Sequence, residues 1–412
     1  MAGDGWTHED GGPRRTQLVP GALGIGPADR LEVTTRIAPV TTMAVRGRPG
    51  EVLLLRHTPG EPSTALVERI DPISLEPIAT SAELPAGPVW PGGLGATADG
   101  GVHVVFGDHA HRLDADLQVV ASVRLPRSRP YNSFVVLADG HLVTKDFAGS
   151  RPGMPVAAGD REASELVVLD PATLAIVDRL ELPEPSIARL SADGDDVYVV
   201  GDTSLLVVRW DGRRLALDPD RTVRYRTLEG QGYGWDCVIA GGSAWFLDDG
   251  EGSDAYAGTL RGKGVATAPL HLVRVGLRDG ALAMAEVSGL PGGLVANPPV
   301  IDVERGIAVG YDSGNAVLVG FDIATLEPRW RRQQDHGSHL LLYEGSGELV
   351  TGDHADVVVL DVASGDERAR VDTGSGMQSV LFPVPGWDRD LYLCSFLTVS
   401  RIAVVPIAGP VV

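Results

Sequence analysis

Apolar and polar residues alternate along this chain in short runs that end at Asp, Gly or Pro. LVVLDPATLAIVDRLELP, residues 166–183, shows the unit: an apolar strand, then Asp, a turn, and a second strand closing on Pro. The unit returns as residues 65–85, 111–126, 317–333 and 357–374. Asp at the start of the turn, followed by Thr, Ser or Leu, suits a tight β-turn, because a short polar side chain can bond the backbone just ahead of it. Each unit follows another hairpin with an Asp-Gly or Gly-Gly type turn, as in GLGATADGGVHVVFGD (93–108) and NSFVVLADGHLVTKD (132–146). Two hairpins in series make a four-stranded antiparallel sheet of roughly 45 residues, the size of one propeller blade.

Blades are read at 42–84, 90–126, 130–182, 186–229, 235–289, 295–332 and 339–374. The segment after residue 376 supplies three more strands, and RLEVTTRIA (30–38) can supply the missing outer one. Such closure ties the two ends of the ring together and removes an exposed edge. The expectation is an all-β, eight-bladed β-propeller of four-stranded antiparallel sheets, closed by an N-terminal strand. Seven blades is the alternative if the faint fourth repeat is miscounted. Residues 1–28 read as a flexible N-terminal tail and 29–412 as a single β-propeller domain.

The stretch GYDSGNAVLVGFDIATL (310–326) resembles the repeat of the YVTN-type, quinoprotein-like propeller superfamily: a strand, a polar turn with Asn, a valine-rich strand, then Asp-x-x-Thr. The hairpins at 166–182 and 356–373 match the second half of that repeat. The resemblance implies a fold rather than a reaction. The chain lacks the adjacent cysteine pair and the large insertions of the pyrroloquinoline-quinone enzymes in that superfamily, so this cofactor is not expected. Trp-Asp pairs stand at 210–211, 235–236 and 387–388 rather than once in each blade, which argues against a WD40 repeat.

Charge narrows the partners. A formal net charge of -20 disfavours a nucleic-acid backbone or an anionic membrane, and leaves small molecules, cations and proteins. Two cysteines, Cys237 and Cys394, form neither a disulfide framework nor a C-x-x-C pair. No apolar run is long enough for a transmembrane helix, and the acidic start is unlike a signal peptide, so a cytoplasmic location is expected.

Candidate chemistry sits where loops converge at one mouth of the channel. Asp108, Asp146, Asp202, Asp248, Asp312 and Asp353 recur at the ends of the second strands. Such a ring can hold a cation, but a residue repeated blade after blade is better explained by turn capping. Departures from the repeat are more informative. His57, His109 and His354 fall in or beside this slot and are candidate ligands for a divalent metal. At the starts of the innermost strands lie Tyr131, Asn132, Trp235, Asn297 and Gln378 as candidate ligand-binding residues. His339, Asp236, Lys145 and Asp146 are the candidate acid–base groups. Two long connections, 147–164 and 249–270, interrupt the third and fifth blades and project from the same face. Tyr256, Arg261 and Lys263 give the second of them polar contacts. No nucleophile elbow, zinc-protease motif or P-loop is present. These features favour a small-molecule-binding propeller, an enzyme acting at the insertion-bearing mouth. The alternative is a non-enzymatic protein-interaction scaffold.

Overall fold

The computed structural model describes residues 6–407 apart from 49, 254–255, 258–259, 262, 338, 376–377 and 384–388. Eight antiparallel sheets follow one another around an axis. Their innermost strands are Thr41–Arg46, Gly93–Ala96, Tyr131–Val136, Ser191–Asp193, Gln231–Gly234 with Val238–Ala240, Val300–Asp302, Leu341–Tyr343 and Gln378–Pro383. The faint fourth repeat is a full blade, with short inner and outer strands, Ser191–Asp193 and Leu215–Leu217, on either side of two longer ones.

The alternation in the sequence reports depth in the blade. Outer strands such as Ile176–Glu181 and Glu367–Asp372 expose one face and half-bury the other, whereas second strands such as Leu142–Asp146 are buried on both. The Asp that opens each outer turn caps it, as expected. Asp170 Oδ1 accepts from the backbone N–H of Ala172 at 3.0 Å and of Thr173 at 2.8 Å. Asp71, Asp322 and Asp361 do the same in their own turns. The turn then forces Leu75, Leu117, Leu174 and Leu326 into the left-handed region, with φ between 58° and 64°. These leucines are nonetheless buried, at 6% exposure or less. Burying a leucine contributes about 1.5–3 kcal/mol, enough to offset a left-handed cost of about 1–2 kcal/mol.

Closure occurs as the three-stranded final repeat requires. Asp29–Ile37 pairs antiparallel with Thr398–Pro406, in register from Asp29↔Pro406 to Ile37↔Thr398, and becomes the outermost strand of the eighth blade.

The segment before it departs from the expected flexible tail. Trp6 is 1% exposed, and the chain that follows crosses the channel against the inner strands. Trp6, Thr7, Pro13 and Arg14 accept, through their carbonyls, from the backbone N–H of Arg46, Ala96, Ala192 and Ile239. Leu18–Val19 then pairs in parallel with Leu341–Tyr343. Inner-strand edges would otherwise leave backbone donors unpaired, and the segment satisfies them. All these contacts lie toward the ends of the inner strands that lead into the short first turns. The segment thus closes one end of the channel and leaves the insertion-bearing end open.

Candidate functional site

Three charged side chains of the N-terminal segment form the floor of the channel. Arg15 donates to Leu190 O at 2.6 Å, to Asp10 Oδ2 at 2.6 Å and to Glu9 Oε1 at 2.5 Å. All three residues are at most 2% exposed. Burying charges is tolerable only when they are mutually paired and hydrogen-bonded, and here they are. Burial raises the Glu9 pKa, with the Arg15 guanidinium opposing it. For Asp10 burial pushes the same way. The His339 imidazole and Arg15 outweigh it, holding the carboxyl well below the usual carboxylate range.

Above this floor opens a cavity of about 200 Å³. Trp90, Trp235 and Phe396 provide aromatic wall, and Arg189, Asp236, His336 and His339 bring ionisable groups to it. Thr42 and Asn132 also line it; Thr42 Oγ1 and Asn132 Oδ1 are buried polar atoms with no hydrogen-bond partner. Asn132 is oriented by its Nδ2, which donates to Ile187 O at 3.2 Å. Asp236 Oδ1 accepts from the Arg189 backbone N–H at 2.6 Å, while the Arg189 guanidinium stands 3.9 Å from Asp236 Oδ2 and 3.7 Å from Glu9 Oε2. His336 Nδ1 lies 2.5 Å from Ser313 Oγ. Burial lowers the His336 pKa, and the Lys263 cation of the second insertion lowers it further. The first insertion reaches the rim as well, since Phe147 stacks on Trp90 with centroids 4.4 Å apart.

Of the residues expected from the sequence, Asn132, Trp235, Asp236 and His339 come together around this cavity. Asn297 is buried just behind it, between the lining residues Ala296 and Pro298, with its Nδ2 donating to Pro298 O at 2.9 Å. Tyr131 is fully buried beneath the rim, and its hydroxyl accepts from the Arg127 backbone N–H at 3.3 Å. The side chains of Gln378, Tyr256 and Arg261 lie outside the described residues.

Lys145 and Asp146 do not reach the cavity. Second-strand positions lie behind the inner strand, and both side chains are 0% exposed. Lys145 donates to Asp146 O at 2.8 Å and to Ser186 O at 2.9 Å, joining the third blade to the connection before the fourth. Asp146 Oδ1 accepts from the Glu165 backbone N–H at 2.6 Å, and Arg129 pairs with its other oxygen. The other slot aspartates are likewise engaged locally. Asp312 accepts from the backbone of Leu294 and Asn315, Asp353 from Asp335, and Asp248 from His271.

The three metal candidates are not assembled. Among the described residues, no three His, Cys, Asp or Glu side chains are grouped so as to hold a metal ion. Each histidine belongs to its own turn. His57 Nδ1 is 2.9 Å from Thr58 O, and His109 Nδ1 is 2.7 Å from Asp108 Oδ1. His354 is exposed, with a left-handed φ of 55°.

Sequence reasoning missed Trp90, Arg189, His336 and Phe396, which lie in connections between strands, and Thr42, the second residue of the first blade's innermost strand. It also missed the floor, because a run of acids at a chain terminus reads as solvated.

No protein-family model matches the chain, and no curated protein matches it. Solved structures do. Quinohemoprotein alcohol dehydrogenase from Comamonas testosteroni superposes with a TM-score of 0.64 at 12% identity, over 98% of this chain and 81% of that one. BamB from Moraxella catarrhalis gives 0.59 at 14% identity, over 90% and 98%. Dihydro-heme d1 dehydrogenase NirN, solved in complex with DHE, gives 0.56 at 15% identity, over 88% and 75%. These likenesses establish the fold alone: the chain is an eight-bladed β-propeller, similar in fold to the quinohemoprotein dehydrogenase and BamB.

Pyrroloquinoline quinone does not fit the residues present. The channel beneath the cavity is filled by Glu9, Asp10 and Arg15, and among the described residues Arg189 is the only guanidinium on the wall, too few cations for a fused-ring tricarboxylate. A cavity of about 150 Å³ holds a single benzene ring, and this one is little larger at about 200 Å³.

Proposed function

We propose that this propeller binds a small organic molecule in the cavity at its insertion-bearing mouth, and that it is an enzyme acting there. The observation that carries the reading is the convergence of unlike groups from separate blades on one blind cavity. Trp90, Trp235 and Phe396 offer faces for a ring, while Arg189, Asp236, His336 and His339 offer charge and proton exchange. A purely architectural contact would repeat from blade to blade, as the slot aspartates do. The orphaned Asn132 Oδ1 and Thr42 Oγ1 favour a ligand that donates hydrogen bonds. The size favours one ring or a short chain.

The reading is tested by a thermal-shift screen of small alcohols, aldehydes and carboxylic acids, run in parallel on the wild type and on Trp235→Ala. Trp235 is half-buried at the rim, so the variant retains its fold. A ligand at a hundred times its Kd stabilises the folded state by about 2.7 kcal/mol. The expected result is stabilisation of the wild type that Trp235→Ala loses. Shifts equal in both proteins, or none in either, count against the cavity and favour a scaffold that holds a protein partner on its outer surface.

A further inference from the structure

Asp10 comes from the N-terminal segment and stands at the closed end of the cavity, its side chain 1% exposed. Its Oδ1 lies 2.8 Å from His339 Nδ1. Its Oδ2 is held by Arg15, which also binds Glu9 and Leu190 O. Arg15 is therefore already neutralised by Glu9, and Asp10 has an oxygen to spend on the imidazole. The backbone is committed to the arrangement as well. Asp10, Arg15 and Gln17 all adopt the left-handed region, with φ of 56°, 53° and 56°. Non-glycine residues avoid that conformation unless their surroundings over-determine it.

An ionised carboxylate can only accept a hydrogen bond. The 2.8 Å contact is not aligned as a hydrogen bond and Asp10 Oδ1 is a buried acceptor without a partner, so a proton that bridges it to His339 belongs to Nδ1. The other ring nitrogen, Nε2, is left for the cavity that His339 lines.

We propose that Asp10 is a positioning residue that fixes His339 with Nδ1–H turned toward the floor, so that Nε2 presents a proton acceptor to a ligand in the cavity. This rests on the reading of the mouth as a ligand site and names its base. The ligand class is one carrying a hydroxyl or N–H that loses its proton as it reacts. That proton moves to Nε2, and the positive charge arising on the ring lies against the Asp10 carboxylate. The two residues are 329 positions apart in the sequence, 339 minus 10, and meet only because the N-terminal segment is threaded into the channel.

The test needs no ligand. Protein labelled with 15N in its 10 histidines gives long-range proton–nitrogen correlations that distinguish the two tautomers of each ring. His339→Gln assigns the signal. The wild type is expected to show His339 protonated at Nδ1 and bare at Nε2 at mildly alkaline pH. Asp10→Asn is expected to lose this fixed tautomer. It is also expected to slow acylation of His339 by diethyl pyrocarbonate, followed by mass spectrometry, by about tenfold or more, and Asp10→Glu to restore part of it. A wild-type ring protonated at Nε2 overturns the proposal, as does an Asp10→Asn protein with unchanged tautomer and reactivity. The wild-type tautomer decides the matter even if the variant fails to fold. Because the readout is taken without ligand, its failure and that of the ligand screen are separate results.

Discussion

Lys145 offers a sharp test of how the third and fourth blades are joined. It is 0% exposed, and burial lowers its pKa from 10.5 to about 8, with Asp146 opposing the shift. A lysine whose folded pKa is depressed adds stability that is present above the unfolded value and lost as pH falls through the folded one. Below pH 8 the ammonium is retained in both states, and its burial costs about 3 kcal/mol at 1.36 kcal/mol per unit. Between pH 7 and 9.5 the folded state sheds the proton first, and roughly 2 kcal/mol of that cost is recovered. Lys145→Met removes the titration and leaves Ser186 O and Asp146 O without their donor, so it is less stable overall but lacks this pH dependence. The assay is urea unfolding of both proteins at half-unit steps across that window. Lys263 is the only other lysine and is common to both, as are the tyrosines, so the difference isolates Lys145. The wild type should gain about 2 kcal/mol relative to the variant as pH rises. Parallel profiles would refute a buried, desolvated ammonium at this joint.

Trp6→Ala should cost about 3–5 kcal/mol, because Trp6 is 1% exposed within the core; a thermal midpoint equal to that of the wild type would return the N-terminus to a free tail. Leu174 is buried with φ 58°, so Leu174→Ala should lose about 2–5 kcal/mol. Leu174→Gly should be no worse, because glycine relieves the left-handed cost of about 1–2 kcal/mol. A glycine variant more than about 1 kcal/mol below the alanine one in denaturant unfolding argues that this turn carries no strain.

The repeat made the fold legible because each blade must satisfy the same constraints. Asp170 and Asp322 cap equivalent turns for one physical reason, and the three strands after residue 376 implied a fourth from elsewhere. The site was legible only where a residue broke the repeat at a strand start, as Asn132, Trp235, Asp236 and His339 do. Lys145 broke it too, but one strand further back, where depth in the blade rather than residue type decides what reaches the cavity. The histidines His57, His109 and His354 fall in or beside one repeat position without sharing a point in space, since equivalent turns on different blades stand apart around the ring. Glu9, Asp10 and Arg15 gave no warning. Their burial depends on pairing with one another and with His339 across the whole chain, and no local pattern encodes that.

The position of a bound ligand tests the function proposed for this mouth most directly. A structure of the protein with a molecule that stabilises the wild type but not Trp235→Ala should place it in the cavity between Trp90, Trp235 and Phe396, with a donor group within hydrogen-bond reach of His339 Nε2. A molecule found instead on the outer strands, or at the end of the channel closed by residues 6–19, would contradict the assignment of function to this mouth.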